Sequence, residues 1–239
     1  MVAYPSWALS TEGGADVTRV APGAGRSISG MAADPGKPET RQERKRRTRQ
    51  ALLDAALAQL ADRPFAALSL REVTKRAEIV PTAFYRHFTS MDELGVVLLD
   101  ESMSMLRRML DTAREAGRDP DQAVGAVVGA LDRYTREHTE HFRFLARERH
   151  GGAGPVPQAA RTELRLVAGE LAIDLARFDC LHEWPSDDLR VLAELIVTTL
   201  LSTAVELIEA TPGGAERVLR TAEKRLRLIA LGARHWAPR

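Results

Sequence analysis

Residues Ser69 to Leu94 read Ser-Leu-Arg-Glu-Val-Thr-Lys-Arg-Ala-Glu-Ile-Val-Pro-Thr-Ala-Phe-Tyr-Arg-His-Phe-Thr-Ser-Met-Asp-Glu-Leu, and this stretch decides the fold. Ser69 and Glu72 have the spacing of a capping box, which starts a helix at Leu70. Leu70, Val73 and Ala77 fall on one face of it. Glu78, Ile79 and Val80 make a turn. Pro81 suits the first position of a second helix, where its missing N–H is not needed. Thr82 to Phe88 fits two turns, with Phe84 and Phe88 inward. Ser90 and Glu93 repeat the capping pattern and open the next helix.

Two helices across so short a turn form a helix-turn-helix unit. The second leaves Thr82, Ala83, Tyr85, Arg86 and His87 outside, and no carboxylate interrupts Pro81 to Ser90. Such a surface suits a major groove, where phosphates repel acids and base edges need donors and acceptors. A short surface helix of incidental chemistry would share the pattern. Upstream, Arg41, Arg44, Lys45, Arg46, Arg47 and Arg49 stand against one acid, Glu43. This run leads into an amphipathic helix with Leu53, Ala56, Leu57 and Leu60 inward. Clustered cations beside a groove-reading helix supply salt-sensitive affinity for phosphates. Pro64 ends the helix, and Phe65 and Leu68 seal a small three-helix core.

Composition narrows the alternatives. A net charge of +1 over 239 residues excludes a globally basic nucleic-acid binder, so any DNA footprint is local. With 28% charged and 44% hydrophobic residues the balance is that of an ordinary soluble protein. Cys180 is the single cysteine, which fits a reducing cytoplasm and a plain structural thiol. No secretory signal is visible, and the apolar stretch Leu195 to Val205, flanked by Glu194 and Glu206, is too short to span a bilayer. Residues 1–40 are rich in glycine and proline and lack an apolar period, which predicts a disordered tail. Met31 is an alternative start.

The remainder reads as helices. One runs from Met91 to about Ala116; its methionines Met103, Met105 and Met109 are adaptable fillers able to line a ligand cavity. Gly117 to Asp119 breaks it, and Pro120 opens the next. There Gly125 and Gly129 sit four apart in an almost wholly apolar run around Val128. They imply close approach of another helix, or room for a long apolar ligand. His138, Thr139, Glu140 and His141 interrupt the pattern without a second cluster that would complete a metal site. Phe142, Phe144 and Leu145 follow, with Arg143, Arg147 and Arg149 around them. There is no phosphate-binding glycine loop, nucleophile elbow or catalytic cysteine setting, so no enzyme, cofactor or metal is expected. Leu164, Val167, Leu171, Leu175 and Phe178 mark a further helix. Ser186 caps another, with Leu189, Leu192, Ile196, Leu200, Val205 and Ile208. The last follows Gly213-Gly214, with Val218, Ala222, Leu226, Ile229 and Ala233. Two such C-terminal helices can join a partner's pair in a four-helix bundle, and a dimer suits the reading of two half-sites.

The block from Thr48 to Leu94 resembles the TetR family of one-component repressors, whose recognition helix carries a pattern like Phe84-Tyr85-Arg86-His87-Phe88. Ser69-Leu-Arg-Glu-Val, Pro81-Thr-Ala-Phe-Tyr-Arg-His-Phe, Met91-Asp-Glu-Leu-Gly, Asp100-Glu-Ser and Phe144-Leu-Ala-Arg-Glu-Arg-His-Gly are similar to the FabR/DesT group. That group represses genes of unsaturated fatty-acid synthesis and desaturation and senses long-chain acyl thioesters. The wider family usually has a phosphate-binding lysine where this chain has Met91.

The resemblance implies an all-α, TetR-like fold. A helix-turn-helix DNA-binding domain over 41–92 follows the 1–40 tail and precedes a helical ligand-binding and dimerisation domain over 93–239. The candidate DNA contacts are Arg47, Thr48, Arg49, Ser69, Arg71, Thr82, Ala83, Tyr85, Arg86 and His87. Thr48 and Arg49 would approach the backbone and Ser69 a phosphate. The candidate ligand contacts are Met103, Met105, Gly125, Val128, Gly129, Phe144 and Arg147. The expected partners are a double-stranded operator, a second copy of the chain and an apolar effector, with long-chain acyl-CoA first. The alternative is a regulator of an efflux or catabolic operon sensing another apolar molecule.

Overall fold

The computed structural model describes residues 40–117 and 119–236, and among them all regular structure is helical. The tail expected over 1–40 lies outside the described residues except for Thr40. Thr40 and Glu43 form a reciprocal capping box that starts α1 (Arg41–Gln59). After a 3-10 turn at Phe65–Ala67, the expected box of Ser69 and Glu72 starts α2 (Leu70–Arg76). Next come α3 (Pro81–Phe84) and α4 (Met91–Glu115). The body continues through α5 (Pro120–Glu137), α6 (Thr139–Glu148), α7 (Pro155–Leu175), α8 (Ser186–Ile208) and α9 (Ala215–His235).

Several local expectations are corrected. The helix expected over Thr82 to Phe88 closes after Phe84. Arg86 and His87 then bond back only three residues, which winds the segment more tightly than an α-helix. Ser90 caps α4 through the Glu93 N–H at 3.1 Å, but the Glu93 carboxylate reaches past it to the N–H and hydroxyl of Thr89. Ser186 is the first helical residue of α8 and Pro185 occupies the cap, with no side-chain bond. The apolar run around Leu195 belongs to a continuous helix of 23 residues, long and apolar enough by composition to cross a membrane. Here that helix packs against α5, α6, α7 and α9.

The core runs without interruption from head to body. Leu52, Leu53, Val73, Phe84 and Phe88 join Leu94, Leu98, Phe144, Val156 and Leu200 in one buried cluster. The expected domain boundary at 92/93 falls in the first turn of α4, which both parts share. Two links from the end of α6 tie the head down. The buried Glu148 carboxylate accepts the Phe65 N–H at 3.1 Å, and the Phe65 and Phe144 rings pack 6.3 Å apart. The Arg147 guanidinium donates to the carbonyls of Leu60, Ala61 and Arg63 at 2.8, 3.4 and 2.6 Å. It thereby satisfies the carbonyl of Leu60, the capping residue of α1, and two carbonyls of the loop that follows. Arg147, expected at a ligand, is thus engaged by the segment that ends α1.

Gly95 sits where α4 passes under this junction. A Cβ there would stand 2.5 Å from the Phe65 ring and 2.6 Å from Val156. Gly95→Ala should lower the unfolding free energy by about 2 kcal/mol through overpacking, read by urea denaturation; an unchanged midpoint would contradict the packing described.

Candidate functional site

The outward segment of the head is built on its two phenylalanines. Phe84 and Phe88 are fully buried, their rings 5.6 Å apart, and they fix the backbone between them. Tyr85 packs its ring edgewise on Phe84 and is 63% exposed. Thr82 and Arg86 are exposed as well, while Ala83 and His87 are half-buried. From α1, the Arg49 guanidinium lies 4.3 Å over the Phe88 ring and donates to the His87 carbonyl at 2.8 Å. This pins the C-terminal end of the recognition segment to α1. Arg49, expected at the DNA backbone, is thus engaged in positioning that segment.

Electrostatics follow from this crowding. His87 is held below its ordinary pKa, first by burial and then by Lys45, Arg49 and Arg86. A neutral imidazole offers one donor and one acceptor; its Nδ1 is buried without a partner, so only the other edge can meet a base. The Ser69 hydroxyl accepts the Glu72 N–H and donates to the Glu72 carboxylate at 2.7 Å, and that carboxylate pairs with Arg63. The hydroxyl expected to meet a phosphate is therefore already occupied. The Thr48 hydroxyl donates back to the Arg44 carbonyl. Arg47 and Arg71 are exposed on α1 and α2.

Two features of the expected turn were not legible in the sequence. Val80, just before the recognition helix, is 65% exposed; an apolar side chain there can meet a thymine methyl. Glu78 in the turn has φ 57°, the sole positive value for a non-glycine residue among the described residues. For Val80 the signal was Pro81, which holds the residue before it in extended backbone.

At the other end of α4 the body encloses a largely apolar cavity of about 360 Å³. Its walls come from α4 (Leu110, Ala113), α5 (Val124, Val127), α7 (Leu171, Leu175), α8 (Leu192, Ile196) and α9 (Leu226, Ile229). At its polar edge Asp174 accepts from Arg114 at 3.0 Å and lies 3.7 Å from Arg177, while Arg114 also pairs with Asp111. The charges there cancel.

None of the seven expected ligand contacts lines this cavity, and the reasons are geometric. Met103, Val128 and Phe144 are buried in the core, and Met105 is half-buried. Gly125 and Gly129 lie on the outer face of α5, with nothing within 4 Å of a Cβ on either. No described residue of this chain approaches them closely, and the cavity uses the opposite face of the same helix. Phe178 and Ile229, noted only as helix periodicity, do line it.

His141, weighed as a metal ligand, is buried with Nδ1 2.8 Å from the Ser102 hydroxyl. Burial, aided by His138, pushes its pKa down to about 4. On the outer faces of α8 and α9, Val191, Leu195, Leu228 and Leu231 are exposed, as is Trp236 beyond α9.

Residues 52–95 match the family model for bacterial regulatory proteins, tetR family. Among solved structures the chain is similar to a transcriptional regulator from Rhodococcus sp. Rha1, at 21% identity and TM-score 0.58, covering 79% of this chain and 96% of that one. It is similar to the regulator FadR from Bacillus subtilis, solved with stearoyl-CoA, at 14% identity and TM-score 0.61, over 77% and 98%. It is similar also to the fatty acid degradation regulator FadR from Bacillus halodurans, at 12% identity and TM-score 0.61, over 75% and 94%. The likeness to these structures is one of fold.

The strained turn gives a direct test of the head. A left-handed residue with a side chain costs about 1 kcal/mol, partly offset by the extra freedom glycine has when unfolded. Glu78→Gly should raise the thermal midpoint and leave DNA affinity no weaker, since it also removes an acid from the turn. A lower midpoint would refute the strain.

Proposed function

We propose that the chain is a tetR-type, ligand-responsive transcriptional repressor that binds a pseudo-palindromic operator as a homodimer. The observation that carries this is the acid-free segment from Pro81 to Ser90, which turns Thr82, Tyr85 and Arg86 to solvent while Phe84 and Phe88 anchor it. Arg47 and the other cations at the start of α1 supply phosphate attraction, and Val80, Tyr85 and Arg86 supply contacts to base edges. The exposed apolar residues of α8 and α9 form the face on which a second copy packs, which places two heads on one duplex.

The effector site is the apolar cavity. From Met91 to Leu110, α4 rises about 28 Å at about 1.5 Å per residue, so one rigid element joins the cavity wall to the recognition segment. A ligand that favours one setting of α4 shifts the spacing of the two heads, and it does so only by its differential affinity for the two states. Long-chain acyl-CoA is the effector we propose, with genes of fatty-acid metabolism as the targets. The FabR/DesT resemblance and the stearoyl-CoA complex of the similar FadR from Bacillus subtilis support this reading. A second reading has its own support. The cavity is modest in volume and its edge charges cancel, which favours a compact neutral apolar molecule, as in regulators of efflux or catabolic operons.

Tyr85→Ala and His87→Ala should each weaken binding to DNA captured from the protein's own genome by about tenfold or more, measured by fluorescence anisotropy. Unchanged binding by both variants would defeat the assignment. Saturated and unsaturated long-chain acyl-CoA should each be titrated against the protein–DNA complex, with Val124→Trp as a cavity-filling control. A response lost in that control supports the acyl-CoA reading. No response to either thioester leaves the neutral-molecule reading in its place.

A further inference from the structure

Arg149 ends α6 and projects into a groove between α6, α7 and α8 that is separate from the apolar cavity. Its guanidinium is half-buried, and its bonds go to the Ser202 hydroxyl at 3.2 Å and to the His150 ring at 2.8 Å. Neither partner neutralises it, and no carboxylate of the described residues lies within 4.0 Å. Burial alone holds its pKa below the ordinary arginine value. Two other half-buried guanidiniums of the body are neutralised, and Arg147 spends its donors on backbone carbonyls. Arg107 is held between Glu163 and Glu170, and Arg225 is paired with Glu206.

The groove has a volume of about 190 Å³. Leu164, Ala168, Val197 and Leu201 make it apolar on one side. Arg165 adds a second cation and Glu194 the one acid, so with Arg149 the groove carries an excess of one positive charge. A partly desolvated guanidinium without a counter-charge is costly. An anion that reaches it gains a charge-assisted, often two-pronged hydrogen bond.

We propose that this groove is a second small-molecule site that takes an organic monoanion, with a carboxylate on Arg149 and a short apolar tail against Leu164, Val197 and Leu201. The occupant also stands close to the hold on the head, because Arg147 and Glu148 are the two residues before Arg149 in α6. A bound anion therefore acts on the same helix end that caps α1. The binding itself does not depend on the operator or effector assignments.

The test uses the full chain labelled with ¹⁵N-arginine, with octanoate as probe and octanol and inorganic phosphate as comparators. Octanoate should shift the Arg149 Nε–H resonance saturably and raise the thermal midpoint. Arg149→Gln should weaken octanoate by about tenfold or more, the loss expected for one charge-assisted contact. Arg165→Gln, a change at an exposed residue, should weaken it less while leaving the fold intact. The cavity-filling Val124→Trp should leave the response unchanged, and octanol should not move the Arg149 resonance. The proposal is overturned if millimolar octanoate leaves that resonance in place, or if the response survives Arg149→Gln and vanishes in Val124→Trp. Phosphate acting as well as octanoate would remove the apolar tail from the proposal. Loss of self-association in Arg149→Gln without any octanoate effect would assign the groove to a carboxylate of a second copy, and would overturn it too.

Discussion

The guanidinium of Arg147, set against the end of α1, is the contact on which the rest depends. A helix leaves its last carbonyls unbonded, and here a side chain 87 residues away in sequence supplies the donors. The next residue, Glu148, is buried and accepts the Phe65 N–H. A buried carboxylate and a half-buried guanidinium are stable only when hydrogen-bonded, so neither can let go without cost. The three-helix head is thereby held to the end of α6 at a defined angle, in addition to its continuity with α4.

That hold explains how a small reading surface can be rigid. The recognition segment is only four helical residues and a tightened turn, too short to be stable alone. It keeps its shape because Phe84 and Phe88 are buried beneath it and Arg49 grips the His87 carbonyl from above. Three of the side chains expected at DNA, those of Arg49, Thr48 and Ser69, make hydrogen bonds within this frame. The outward chemistry falls to Thr82, Tyr85 and Arg86, with Arg47, Arg71 and the exposed Val80 around them.

The two ends of α4 serve different purposes. At one end Gly95 lets Phe65 and Val156 approach closely, so head and body share one core. At the other, Leu110 and Ala113 face a space that α5, α7, α8 and α9 leave unfilled. The first end resists movement, since any added atom meets a ring. The second can take up a ligand, since the space is apolar and its edge charges are already paired.

Local patterning was enough for the helices, for the box of Ser69 and Glu72 and for the inward pair Phe84 and Phe88, because each depends on residues within one or two turns of each other. The outward direction of Tyr85 and Arg86 followed from the same periodicity. Which faces meet which partners did not. Gly125 and Gly129 suggested closeness, yet no described residue of this chain packs on them, because a periodic pattern marks a face without saying what lies opposite it. Arg147 and Arg149 look alike in sequence, two residues apart; one caps α1 and the other has no carboxylate within 4.0 Å among the described residues. That difference arises from contacts across 53 to 87 residues of chain, and only the packed tertiary arrangement brings such groups within hydrogen-bonding distance.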